Sequence, residues 1–132
     1  MDSPATKRYR VFIVDNNEDL AWSLSEVLSL EPDLESVGWC SAGAEALAKA
    51  RAAGADLMIL DFRLADCNAL AILDQARLTD PTLGILIYSG YLADDLTAEV
   101  LARGAAGYVP KGGSVETLTQ EIRRIVGARR AA

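Results

Sequence analysis

The sequence predicts an α/β domain: a doubly wound, five-stranded parallel sheet made of five β-α units. Three observations predict it. Short runs rich in β-branched and large apolar residues alternate five times with helical stretches. The central runs are apolar throughout instead of alternating with polar residues, as strands covered on both faces are. The length of 132 residues admits one domain with a real core.

The elements follow in order. Residues 9–14 (YRVFIV) read as strand one. The polar cluster Asp15-Asn16-Asn17-Glu18-Asp19 ends it and caps a helix, with acids in the favoured first turn. Leu20, Leu24, Val27 and Leu28 give that helix one apolar face, and Glu31-Pro32-Asp33 stops it. Residues 36–40 (SVGWC) form strand two, and residues 44–53 an Ala-rich helix closed by Gly54. Residues 57–60 (LMIL) form strand three. The helix over 68–78 turns Leu70, Leu73 and Ala76 inward, and Asp80-Pro81 marks a turn. Residues 83–88 (LGILIY) form strand four, and Asp94-Asp95 opens a helix ending before Gly104. Residues 105–109 (AAGYV) form strand five. Ser114 caps a last helix whose stripe is Val115, Leu118, Ile122, Ile125 and Val126. Residues 1–8 are expected as a disordered leader and 9–127 as the domain. Residues 128–132 are expected as a tail, or the start of a linker to an output domain not in this sequence.

Composition removes several function classes. A net charge of −6 argues against general nucleic-acid binding. No apolar run reaches transmembrane length, and residues 1–10 lack the apolar core of a signal peptide. Cys40 and Cys67 stand isolated, without CxxC spacing, so a disulfide or zinc framework is not expected; a reducing cytoplasm is the simple inference. The absence of histidine removes His-based triads, metal sites and acid–base work. Arg123, Arg124, Arg129 and Arg130 read as a solvated helix face.

In such a sheet every β-to-α loop opens on one edge, where ligands bind. Four strands end there on notable residues: Asp15-Asn16, Asp61, Ser89 and Lys111. Each alone is an ordinary cap, turn or loop residue. Together they suit phosphoryl transfer to a carboxylate: Asp61 as nucleophile, Lys111 and Ser89 to hold phosphoryl oxygens, and a Mg²⁺ between carboxylate and phosphoryl group.

The motifs Val14-Asp15-Asn16-Asn17-Glu18-Asp19-Leu20, Leu60-Asp61-Phe62-Arg63-Leu64, Ile87-Tyr88-Ser89-Gly90 and Gly104-Ala105-Ala106-Gly107-Tyr108-Val109-Pro110-Lys111 resemble the receiver domain of bacterial two-component response regulators, over nearly the full length. The resemblance implies a flavodoxin-like, CheY-like fold with strand order 2-1-3-4-5. It implies that Asp61 accepts a phosphoryl group from a histidine kinase or phosphotransfer protein. Asp15, Asn16, Asp61 and the Arg63 backbone carbonyl would form the Mg²⁺ pocket, and Ser89 and Tyr108 would act as switch residues. Helix four, strand five and helix five would be the output face, which also allows a homodimer. Lys111-Gly112-Gly113 is closer to NarL-like regulators, which usually add a DNA-binding domain. The chain departs from the family at Asn16, where a second acid is usual, at Ala65, commonly Pro, and at Ala69, commonly Gly. Asn16 favours the alternative of a phosphorylation-independent pseudo-receiver, an interaction module on the same fold. An Asp-nucleophile hydrolase would carry a second acid two residues after the first, where this chain has Arg63.

Overall fold

A computed structural model describes the backbone of residues 8–131 and side chains through residue 128. The expected leader, apart from Arg8, lies outside the described residues. The elements run β1 (Tyr9–Val14), α1 (Glu18–Ser29), β2 (Leu34–Cys40), a 3₁₀ turn (Gly43–Glu45), α2 (Ala46–Ala52), β3 (Leu57–Leu60), α3 (Ala69–Thr79), β4 (Gly84–Ser89), α4 (Asp94–Ala102), β5 (Gly107–Pro110) and α5 (Val115–Ala131). All five strands pair in parallel in the order β2-β1-β3-β4-β5. Among the described residues, no helix is long and apolar enough to cross a membrane.

Period-two alternation in buried strands divides the core into two layers. Phe12, Val14, Met58, Leu60, Ile85 and Ile87 face one side, against α2, α3 and Val100 of α4. Val11, Ile13, Leu57, Ile59 and Leu86 face the other, against α1 and α5. β3 is buried at all four positions, which is why it reads as an unbroken apolar run.

Several local expectations shift. β2 begins at Leu34, two residues earlier than its sequence pattern indicates, because Leu34 and Glu35 pair with Tyr9 and Arg10; a bulge at Val37, between the partners of Val11 and Phe12, absorbs one extra residue. The expected helix over 44–53 opens as a 3₁₀ turn, and Gly54 follows in the left-handed region at φ 69°, as a C-terminal glycine should. β5 starts at Gly107 and not at 105: the Ala105 N–H still bonds back to the Val100 carbonyl of α4. In α1 the buried face is Ala21, Leu24 and Leu28, with Leu20 and Val27 half-buried. In α3 it is Ala69, Ile72, Leu73 and Ala76, with Leu70 half-buried. A small alanine is among the most buried residues of each, Ala21 in α1 and Ala69 in α3. Val115 opens α5 and is exposed. α5 runs on to Ala131, through the segment expected as a tail.

Arg123 and Arg124 of α5 are not merely solvated, while the side chains of Arg129 and Arg130 lie outside the described residues. Arg123 holds Asp33 through Nε and Nη2 at 2.7 and 2.8 Å and Glu31 at 2.7 Å, tying α5 to the turn between α1 and β2. Arg124 pairs with Glu121 and donates to the Ala106 carbonyl. Hydrogen bonding to Arg123 holds the Asp33 carboxyl below its ordinary value, against a smaller opposing effect of burial. A depressed carboxyl contributes stability above its unfolded value and loses it as pH falls through the folded one. Arg123→Ala is expected to cost about 1 kcal/mol at neutral pH, at the upper end for a half-exposed pair. The gap between the urea midpoints of wild type and variant is expected to close as pH falls below about 4. An equal gap at pH 7 and pH 3 would assign the loss to packing of the arginine stem.

Candidate functional site

The sheet delivers all four expected side chains to its carboxyl edge by extending the ladder past the strand ends. The Asp15 N–H bonds the Cys40 carbonyl at 3.1 Å, and the Asp61 N–H bonds the Val14 carbonyl at 2.9 Å. Ser89 is the last residue of β4, and the Lys111 N–H bonds its carbonyl at 2.7 Å. Backbone bonding thus fixes each Cα before any side chain is placed. Asp15, Ser89 and Asp61 are 3%, 6% and 7% exposed, so their polar groups require partners inside the protein.

Those partners are one another. Ser89 Oγ donates to Asp61 Oδ1 at 2.9 Å. Lys111 Nζ lies 3.1 Å from Asp61 Oδ2 and 2.7 Å from Asp15 Oδ2. The Asn17 N–H donates to Asp15 Oδ1 at 2.8 Å, while the Asn17 side chain caps α1 by accepting from the Leu20 N–H. No buried side-chain nitrogen or oxygen among the described residues lacks a partner. Burial is the largest single influence on the Lys111 amine and pulls its pKa down. Asp15 and Asp61 together outweigh it, so the net shift is upward and the cation is held.

The other expected residues are placed less centrally. Asn16 is exposed at the rim, beside Asp15. The Arg63 side chain is also exposed and rests over the Phe62 ring at 5.7 Å. Tyr108 is half-buried, and its hydroxyl donates to the Gly90 carbonyl at 2.8 Å, one residue past Ser89. Cys40 is buried and Cys67 half-buried; both thiols are free and burial pushes both up, as inert thiols are. Trp22 is exposed on α1. One residue that sequence reasoning missed is Asp66, whose carboxylate accepts the Gly43 and Ala44 N–H groups at 2.9 Å each. The only signal in the sequence was an acid in the loop after β3.

Among the described residues no three carboxylate, thiol or imidazole groups come together as a metal cage. Two carboxylates do converge, since Asp15 Oδ2 and Asp61 Oδ2 share one ammonium. Hard oxygen donors of this kind fit Mg²⁺, which needs few protein ligands and keeps its waters. The set carries one anionic donor fewer than a second acid at position 16 would supply.

A buried carboxylate pair bridged by a lysine and backed by a hydroxyl, at the carboxyl edge of a doubly wound sheet, defines an α/β domain built to handle a small anion against a carboxylate. The model of the response regulator receiver domain matches residues 11–123, and the chain belongs to that family, the receiver module of two-component signalling. It is 35% identical over 102 residues to the DNA-binding transcriptional activator DevR/DosR of Mycobacterium tuberculosis, covering 77% of this chain and 47% of that protein. It is 27% identical over 115 residues to the response regulator VraR of Staphylococcus aureus, covering 87% of this chain and 55% of that protein. The chain therefore spans about half the length of these relatives. The fold is shared with the response regulator domain of Thermotoga maritima CheB (TM-score 0.83, 23% identity, 91% and 97% of the two chains). It is also shared with a CheY-like receiver from Methanospirillum hungatei (TM-score 0.84, 22% identity, 94% and 98%). The strand order 2-1-3-4-5 implied by the resemblance is the order found.

Lys111→Met tests the electrostatics of the pocket directly. It leaves two buried carboxylates without their cation, and is expected to cost about 2–3 kcal/mol in urea unfolding at pH 7.

Proposed function

We propose that this domain accepts a phosphoryl group on Asp61 from the phosphohistidine of a histidine kinase or phosphotransfer protein. The observation that carries the reading is the Asp61 carboxylate held by Ser89 Oγ on one oxygen and Lys111 Nζ on the other. A carboxylate oxygen of Asp61 attacks phosphorus, the donor's imidazole nitrogen leaves, and an acyl phosphate forms. Lys111 is already a held cation. On transfer it turns from Asp15 toward a phosphoryl oxygen, while Ser89 Oγ turns from Asp61 to hydrogen-bond another. Asp15, Asp61, the Asn16 side-chain carbonyl and the Arg63 backbone carbonyl would hold Mg²⁺. Bound there, Mg²⁺ supplies charge neutralisation between the acceptor and the phosphoryl group. The domain's chemistry is thus its own phosphorylation and dephosphorylation.

The output follows from the Ser89 movement. Gly90 follows Ser89, and its carbonyl holds the Tyr108 hydroxyl, so a shift of Ser89 pulls on a side chain of β5. The face of α4, β5 and α5 is then the surface that changes, toward a second copy or an output domain. DevR/DosR is a DNA-binding regulator about twice the length of the matched stretch, which supports a regulator of that organisation, with residues 9–127 as its receiver. The pseudo-receiver alternative finds no support in the relatives.

Incubation with a small phosphodonor followed by intact-mass measurement checks this. Wild type is expected to gain one phosphoryl group in a Mg²⁺-dependent reaction, and Asp61→Asn none. Asn16→Asp is expected to bind Mg²⁺ about tenfold more tightly, about 1.4 kcal/mol for the restored charge. A folded wild type that gains no mass at saturating Mg²⁺ would refute the acceptor assignment.

A further inference from the structure

We infer that Asp66 is a positioning residue for this pocket: by clamping the tip of the β3–α3 loop to the start of the 3₁₀ turn, it holds the Arg63 carbonyl in place for Mg²⁺. The inference rests on the proposed metal pocket and adds a residue that neither composition nor spacing points to.

The loop after Asp61 closes on itself as a narrow ladder. The Ala69 N–H bonds the Phe62 carbonyl at 2.8 Å, Arg63 and Asn68 form an antiparallel bridge, and the Leu64 N–H bonds the Cys67 carbonyl at 2.9 Å. Ala65 and Asp66 are the tip. Arg63 therefore sits midway between the base, fixed by β3 and α3, and the tip, which Asp66 anchors by hydrogen bonds to another element. Asp66 Oδ1 takes the Gly43 N–H and Oδ2 the Ala44 N–H, each at 2.9 Å. These N–H groups open the 3₁₀ turn, whose own cap residue is Ala42 and makes no side-chain hydrogen bond. Asp66 thus supplies from 22 and 23 residues away the cap that the local sequence lacks. The two N–H groups also hold its carboxyl below the ordinary range.

Packing confirms that the two loops are interlocked. A Cβ on Gly43 would collide with Cys67 Sγ and press on Ile72 and Leu64 of the loop and helix beyond, so only glycine admits this approach. The turn itself follows β2, whose last carbonyl, at Cys40, receives the Asp15 N–H. Asp66 therefore joins the loop after β3 to the loop after β2, across Asp15. Ala65, the other tip residue, is small and exposed.

Calorimetric titration with Mg²⁺ alone, without phosphodonor, tests this on wild type, Asp66→Ala and Asp66→Asn. Asp80→Asn, which removes an ion pair to Arg51 distant in the fold from the pocket, serves as the stability control. Asp66→Ala is expected to weaken Mg²⁺ about tenfold, as loss of a ligand-orienting partner does. Asp66→Asn keeps one acceptor and is expected to fall between, so the result survives if the alanine variant folds poorly. Amide exchange at 43, 44 and 64 is expected to quicken in step with the loss of affinity. Asp80→Asn is expected to leave Mg²⁺ affinity unchanged. If the Gly43 and Ala44 amides lose protection in either Asp66 variant while its Mg²⁺ affinity stays within about twofold of wild type, the inference is overturned. So it is if Asp80→Asn weakens Mg²⁺ as much. Wild type that binds no Mg²⁺ would instead overturn the metal pocket itself, and the inference with it.

Discussion

The Lys111 ammonium between the carboxylates of Asp15 and Asp61 is the interaction on which the working edge depends. Two carboxylates, each less than a tenth exposed, cannot stand together in a poorly solvated pocket without a cation. The cation comes from the edge strand of the sheet, two strands beyond β3, and only a long side chain spans that distance. Its backbone N–H is fixed to the Ser89 carbonyl, so the same residue ties β5 to β4 as its side chain ties β5 to β3 and β1. Four strand ends are thereby joined around one positive charge.

That arrangement is only as good as the scaffold beneath it. β1, β3 and β4 are packed on both faces, and the registers β1 to β3 and β3 to β4 run without a shift. The N–H groups of Asp15, Asp61 and Lys111 extend the β1–β2, β1–β3 and β4–β5 ladders past the strand ends, so the site inherits the rigidity of the sheet. Two loops border the pocket. Tyr108 reaches back to the Gly90 carbonyl in the loop after β4, and the loop after β3 is held at its tip by Asp66.

The sequence disclosed what short-range chemistry controls. Strand three was legible because LMIL is buried on both faces and ends on an acid. Asp15, Ser89 and Lys111 were legible because each closes a strand in the same topology. Strand order was read from resemblance and not from pattern, and the structure bears it out. Helix phase was less legible: Leu20 and Val27 look like core but are half-buried, while Ala21 is fully buried. Contacts set by the fold alone were invisible. Arg123 meets Asp33 and Glu31 across 90 and 92 residues of chain, and Asp66 meets two backbone amides that no pattern advertises. The role of Asn16 is a matter of charge at the rim, which the local pattern names but does not weigh.

The most direct measurement is a crystal structure with Mg²⁺ and trifluoroberyllate, an unreactive stand-in for a phosphoryl group. The expected result is beryllium on a carboxylate oxygen of Asp61, with Lys111 Nζ turned from Asp15 to one fluorine and Ser89 Oγ turned from Asp61 to another. A complex in which Lys111 still bridges Asp15 and Asp61, with the anion bound elsewhere or absent, would contradict the account.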